Sequence, residues 1–123
     1  MSGQSYRGLA AWQKAIDLVE DVYVSSRRWP AEERHGLTSQ TRRAVVSIPA
    51  NIAEGQGRDN EREFHRFVSI ANGSLYELET HLTIAGRLGF LDQEQLQRLS
   101  TQTAEVGRLI PGLKRHLRGR INP

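Results

Sequence analysis

The stretch SIPANIAEG, Ser47 to Gly55, has the apolar rhythm of a helix, with Ile48 and Ile52 four apart, yet Pro49 lies inside it and Gly55 ends it. Extending the rhythm backwards picks up Val45, Thr41 and Leu37, so the spacing predicts one helix from about Leu37 to Gln56, stopped by Gly55 and Gly57. Proline removes the bond its amide would give to the Val45 carbonyl and bends the helix away from its ring. The freed carbonyl needs a donor, and Ser47 or Asn51 stands close enough in sequence to serve.

The same helix is apolar on a second side. At about 100° per residue, Val46, Ala50 and Ala53 fall away from Val45, Ile48 and Ile52, with Arg43, Ser47, Asn51 and Glu54 as a polar strip between the two stripes. A helix in a bundle has one inward face, so a second apolar face predicts contact with another subunit. Ile70, Gly73 and Ile84 form a weaker second face on the next helix. The polar strip suits hydrogen bonds that fix helix register or subunit orientation and makes a poor catalytic constellation.

Three further helices follow from periodicity. The first spans about Leu9 to Arg28, with Leu9, Trp12, Ile16, Val19, Tyr23 and Ser26 on one stripe, and Trp29-Pro30 closes it. Pro30 then starts a short turn or helical piece, AEERHG. The third helix spans about residues 60–88, opened by Asn60 and Glu63 in the form of a capping box, with Phe64, Phe67, Val68, Ala71, Leu75, Leu78, Leu82 and Ala85 on its main face. The fourth spans about residues 92–118 behind Asp92 and Gln95, with Leu96, Leu99, Thr103, Val106, Ile110, Leu113 and Leu117 as its seam. Pro111 should kink or split it, and the final GRINP should be loose. No strand-like alternation competes. Short links between long amphipathic helices predict one all-α domain, an up-down-up-down four-helix bundle.

Composition narrows the function. The 123 residues carry 37% hydrophobic and 25% charged side chains, which suits a folded domain. The absence of cysteine removes disulfides, thiolate metal sites and a cysteine nucleophile. The start, MSGQSYRGLAAWQK, lacks the apolar core of a signal peptide, and every apolar run is too short to span a membrane, so a cytoplasmic location is expected. Bundle metal centres use Glu-x-x-His, whereas Glu61 and His65, and Glu77 and His81, are four apart and off the main face, so no metal or other cofactor is expected. His35, His65, His81 and His116 are then expected at the surface or an interface, and no enzyme activity is predicted.

The net charge of +3 is small, but its distribution is uneven, since Arg108, Lys114, Arg115, Arg118 and Arg120 run to the end without an acid. Arg42 and Arg43 lie on the second helix, and Arg58, Arg62 and Arg66 surround the start of the third. Two readings stand side by side. In one, Arg42, Arg43, Arg58, Arg62, Arg66, Lys114, Arg115 and Arg118 bind nucleic-acid phosphates. In the other, the arginines of the third helix pair with Asp59, Glu61 and Glu63 as a solvated face, and the protein is an interaction scaffold with no nucleic-acid role.

WQKAIDLVEDVY, EERHGLTSQTRRAVVSIPANIAEGQGR and EFHRFVSIANGSLYELETHLTIAGRLGFL together resemble the four-helix bundle family encoded in intervening sequences of bacterial 23S ribosomal RNA genes, to which the accessory proteins of diversity-generating retroelements are similar. The resemblance runs from about Leu9 to Leu117, and SIPANIAEG with GSLYELET is its most specific part. It implies an antiparallel bundle assembled as a homopentameric ring with a basic surface and without enzyme activity. For the retroelement branch it also implies binding to RNA or DNA and to a reverse transcriptase. Pro111, in IPGLKRHL, departs from the continuous helix the family shows there.

Overall fold

The computed structural model describes residues 5–122, so the opening MSGQ and Pro123 of the GRINP tail lie outside it. Four helices carry the chain: α1 (Ala10–Ser25), α2 (Leu37–Gly57), α3 (Glu61–Arg87) and α4 (Gln93–Ile121), with single 3-10 turns at Tyr6–Gly8 and Ala31–Glu33. Among the described residues there is no strand. Each helix packs on its neighbours in sequence and α4 closes back on α1, while the backbones of the diagonal pairs α1–α3 and α2–α4 stay farther apart and meet only through side chains of one shared core. This is a four-helix bundle.

The core follows the predicted faces on three helices. Thr41, Val45, Ile48 and Ile52 of α2, Val68, Ala71, Leu75, Leu78, Leu82 and Ala85 of α3, and Leu99, Val106, Ile110 and Leu117 of α4 are buried. The buried hydroxyls of Thr41 and Thr103 bond the carbonyls of Leu37 and Leu99, so neither is left unpaired among apolar side chains. On α1 the prediction is off by one position. Ala11, Ala15, Leu18, Val22 and Ser25 face the core, whereas Ile16 and Tyr23 are each 39% exposed. Of the predicted stripe Leu9, Trp12 and Val19 pack part-buried against the core and Ser26 is buried, so only Ile16 and Tyr23 turn outward. Periodicity alone favours the bulkier stripe, and packing selects the smaller one.

The helix ends also differ from expectation in instructive ways. Helix α1 stops at Ser25 rather than near Arg28, because the chain turns there to bury Trp29 beside Phe90, with ring centroids 6.0 Å apart. Helix α2 runs through Gly55 to Gly57, so Gly55 does not stop it. A Cβ at Gly55 would lie 2.6 Å from the Phe67 Cβ, so this glycine marks the close approach of α2 and α3. The turn to α3 is made at Asp59, with φ of 58°, a left-handed position that aspartate tolerates.

Helix α4 is continuous across Pro111 and includes Gly119, Arg120 and Ile121, so it neither splits nor ends in a loose tail over those residues. Core positions on both sides of Pro111, Ile110 and Leu117, hold the helix against the bundle and outweigh one missing bond. Its start carries a full capping box between Asp92 and Gln95. Asn60 caps α3 by accepting from the Glu63 amide at 3.0 Å, while the Glu63 carboxylate turns to Arg66.

Candidate nucleic-acid interface

The predicted basic residues fall in three places. Arg42 is tied down at the junction of α1 and α2, where its Nε donates to Ser26 Oγ at 2.9 Å and its guanidinium lies 4.6 Å from the Tyr23 ring centroid. Arg43 is exposed at the mouth of a 260 Å³ groove between α2 and α3 that Ser47, Ser74 and Glu77 also line. The remaining six gather at the end of the bundle where α2 passes into α3 and where α4 finishes.

Within that group two arginines are already engaged. Arg58 pairs with Glu54 at 2.9 Å and Arg66 pairs with Glu63 at 3.0 Å. Both guanidiniums also lie over Phe67, at 5.0 and 4.6 Å from its centroid, so ring and carboxylates hold them in place. The hydrogen bond from Arg66 holds the Glu63 carboxyl below the usual carboxylate range. Arg62, Lys114, Arg115 and Arg118 form no ion pair with a described residue.

Of these four, Lys114 and Arg118 of α4 act on His65 across the α3–α4 seam, and Arg62 and Arg115 are exposed on the same two helices. The ion pair between Glu61 and Arg120, at 3.0 Å, fixes the level of the two helices, so Arg62 stands opposite the turn bearing Arg118. His65 reports the sign of the local field. Burial, and then the charges of Lys114 and Arg118, hold its imidazole below the usual histidine range. Sequence patterns did not mark His65 for this position, because its neighbours there come from a helix nearly fifty residues away in the chain. His81, expected at a surface or interface, is instead buried on α3 at 8% exposure.

The polar strip of the opening stretch lies within the subunit, along the α2–α3 seam. Ser47 Oγ and Ser74 Oγ are 2.8 Å apart, and the Asn51 amide donates to Ser47 Oγ at 2.9 Å and to the Ser47 carbonyl at 2.8 Å. Asn51 thus serves the Ser47 carbonyl. Glu54 continues the strip through its pair with Arg58, and Pro49 is buried. The expected subunit-contact residues divide across this strip. Val46 (40% exposed), Ala50 and Ala53 lie on the outer side of α2, toward α1, while Ile70 (42%) and Gly73 lie on the outer side of α3. Ile16 and Tyr23 of α1 extend the first group, an extension that periodicity had assigned to the core.

Among the described residues no group of three His, Asp or Glu side chains is placed to hold a metal ion. Among the described residues no helix is long and apolar enough to cross a membrane. A 680 Å³ cleft at the same end of the bundle, bordered by Leu9, Phe64, Leu113 and Leu117, is crossed by the Glu61–Arg120 pair and holds no nucleophile–base pair.

The model of the family described as "23S rRNA-intervening sequence protein" matches residues 7–112. A crystal structure of a protein with unknown function from the S23 ribosomal protein family of Bacteroides thetaiotaomicron is similar to this chain. The two superpose with a TM-score of 0.76 at 21% identity, covering 85% of this chain and 98% of the other. At that identity the likeness concerns the fold. No curated protein matches the chain.

Proposed function

The chain belongs to the 23S rRNA-intervening sequence protein family, and on that premise we propose that it is a non-enzymatic, self-associating bundle that holds nucleic acid on the basic α3–α4 face. The observation that carries this reading is the group of four cations, Arg62, Lys114, Arg115 and Arg118, without carboxylate partners on α3 and α4. Cations not already neutralised by carboxylates can neutralise phosphates, and the counterions condensed on the nucleic acid are then released, which is the main source of sequence-independent affinity. Arg58 and Arg66, held by Glu54 and Glu63, shape the border of the face, while Arg42 fastens α2 to α1.

The helix order we assign is up-down-up-down. It is supported by the side-chain pairs between helices, in which late α1 meets early α4 (Asp21 with Arg98) and early α3 meets late α4 (Glu61 with Arg120). Self-association as a ring of five follows from the family resemblance and is supported by the apolar outer faces of α1 and α2. Repetition of the basic face around such a ring would multiply weak phosphate contacts into useful avidity. The proposed location is the cytoplasm, and a reverse transcriptase is the protein partner if the gene accompanies a retroelement.

The nucleic-acid reading is tested by titrating structured RNA and duplex DNA at rising salt. Micromolar binding that weakens steeply with salt is the expected result, and Lys114→Glu with Arg118→Glu should lower affinity at least tenfold, on the order of two lost phosphate contacts. No binding at low salt would leave a protein-interaction scaffold, with the cations meeting an acidic partner protein.

A further inference from the structure

His65 lies beneath the unpaired cations, on the side of α3 that faces α4. It is half-buried, and its Nε2 is enclosed without a hydrogen-bond partner. Lys114 and Arg118 are the charges that act on it from α4. On its own helix, Glu61 is occupied by Arg120, Arg66 by Glu63, and Arg62 is unpaired. The charged residues of α2 stand on the far side of α3, where Glu54 holds Arg58, and do not reach the imidazole. The imidazole therefore sits in a positive field with no fixed carboxylate to offset it.

We propose that the α3–α4 seam around Arg62, Lys114 and Arg118 seats a backbone phosphate of nucleic acid, and that His65 takes up a proton when the phosphate arrives. This rests on the nucleic-acid reading above and adds to it a residue and a proton. In the free protein burial, and then the two cations, disfavour protonation of His65. A phosphate that neutralises Lys114 and Arg118 removes the second cause and adds a negative charge near the ring, while burial stays. The complex then binds more protons than its separate components, and linkage requires affinity to rise as pH falls. The window runs from the depressed value of the free protein up to the raised value in the complex. One coupled proton limits the effect to about tenfold per pH unit.

The test uses the full chain and a uridine-only RNA oligonucleotide, which has no group titrating between about pH 5.5 and 7.5. Affinity is measured across that range at constant low salt for the wild type and His65→Gln, and the His65 ring is followed by NMR with and without RNA. The expected result is affinity rising about threefold or more toward low pH in the wild type, a flatter profile in His65→Gln, and a higher ring titration midpoint with RNA bound. Equal pH profiles in the two proteins, or a midpoint unmoved by RNA that does bind, overturn the His65 proposal alone. Absence of binding to this RNA by the wild type at low salt overturns the phosphate seat, and absence of binding to structured RNA and duplex DNA as well overturns the nucleic-acid reading with it. If the variant fails to fold, the ring titration of the wild type still decides.

Discussion

At Gly55 one missing side chain sets the spacing of two helices. An alanine there would put its Cβ 2.6 Å from the Phe67 Cβ and 3.1 Å from Phe64, against atoms that cannot swing aside as a long side-chain end can. Overpacking of this kind costs about 1–3 kcal/mol, offset by up to about 1 kcal/mol from the better helix propensity of alanine. Gly55→Ala should therefore lower stability by about 1–2 kcal/mol, seen as a fall in the urea midpoint at unchanged slope. A variant as stable as the wild type would remove the close-approach role. In sequence this glycine has the look of a helix stop, and the difference is invisible until α3 is in place.

Helices α2 and α4 each carry an internal proline and answer it differently. Pro49 is buried beside a polar strip whose hydrogen bonds join α2 to α3 through Ser47 and Ser74. Pro111 is half-buried in a helix that continues for ten residues beyond it to Ile121. An interior proline costs about 3 kcal/mol relative to alanine, while its rigidity in the unfolded chain returns about 0.4–1 kcal/mol. Pro111→Ala should thus stabilise the protein by about 2–2.5 kcal/mol without changing its helix content, read by thermal unfolding with circular dichroism. Loss of stability would mean that the ring itself packs usefully. Patterning located all four helices and three of the four core faces, because apolar spacing reflects burial whatever the partner. It misassigned α1, because either of two adjacent stripes could have faced inward and only the fit to α2 and α4 chose between them.

For the whole molecule, the outer side of α1 and α2 is one surface poorly suited to water, with Ile16, Tyr23 and Val46 each close to 40% exposed and Ala50 exposed, while Ile70 and Ile84 expose a similar share on α3. Ala50→Arg should leave the subunit folded, since the side chain points outward, and should dissociate the proposed assembly by placing a charge in its contact. Light scattering checks the mass and circular dichroism the fold. A wild type that is monomeric, or a variant that assembles fully, would count against this contact. The basic face lies apart from this surface, along α3 and α4, so dissociation should reduce nucleic-acid affinity through lost avidity and leave the single-subunit contact intact.

Sequence by itself determined that the chain is all-α, where its four helices lie, and to which family it belongs, because periodicity, caps and motif spacing are local properties of the chain. Tertiary structure alone decided which arginines are engaged and which are free. Arg58 and Arg66 lie over Phe67 beside their carboxylates, Arg42 rests on Tyr23, and Arg62 forms no ion pair with a described residue. The polar strip of SIPANIAEG suits bonds that fix either helix register or subunit orientation. Ser47 ties it to the chain's own third helix, because Ser74 comes within hydrogen-bond reach only when α2 and α3 are packed together, while Asn51 and Glu54 bond locally to Ser47 and Arg58.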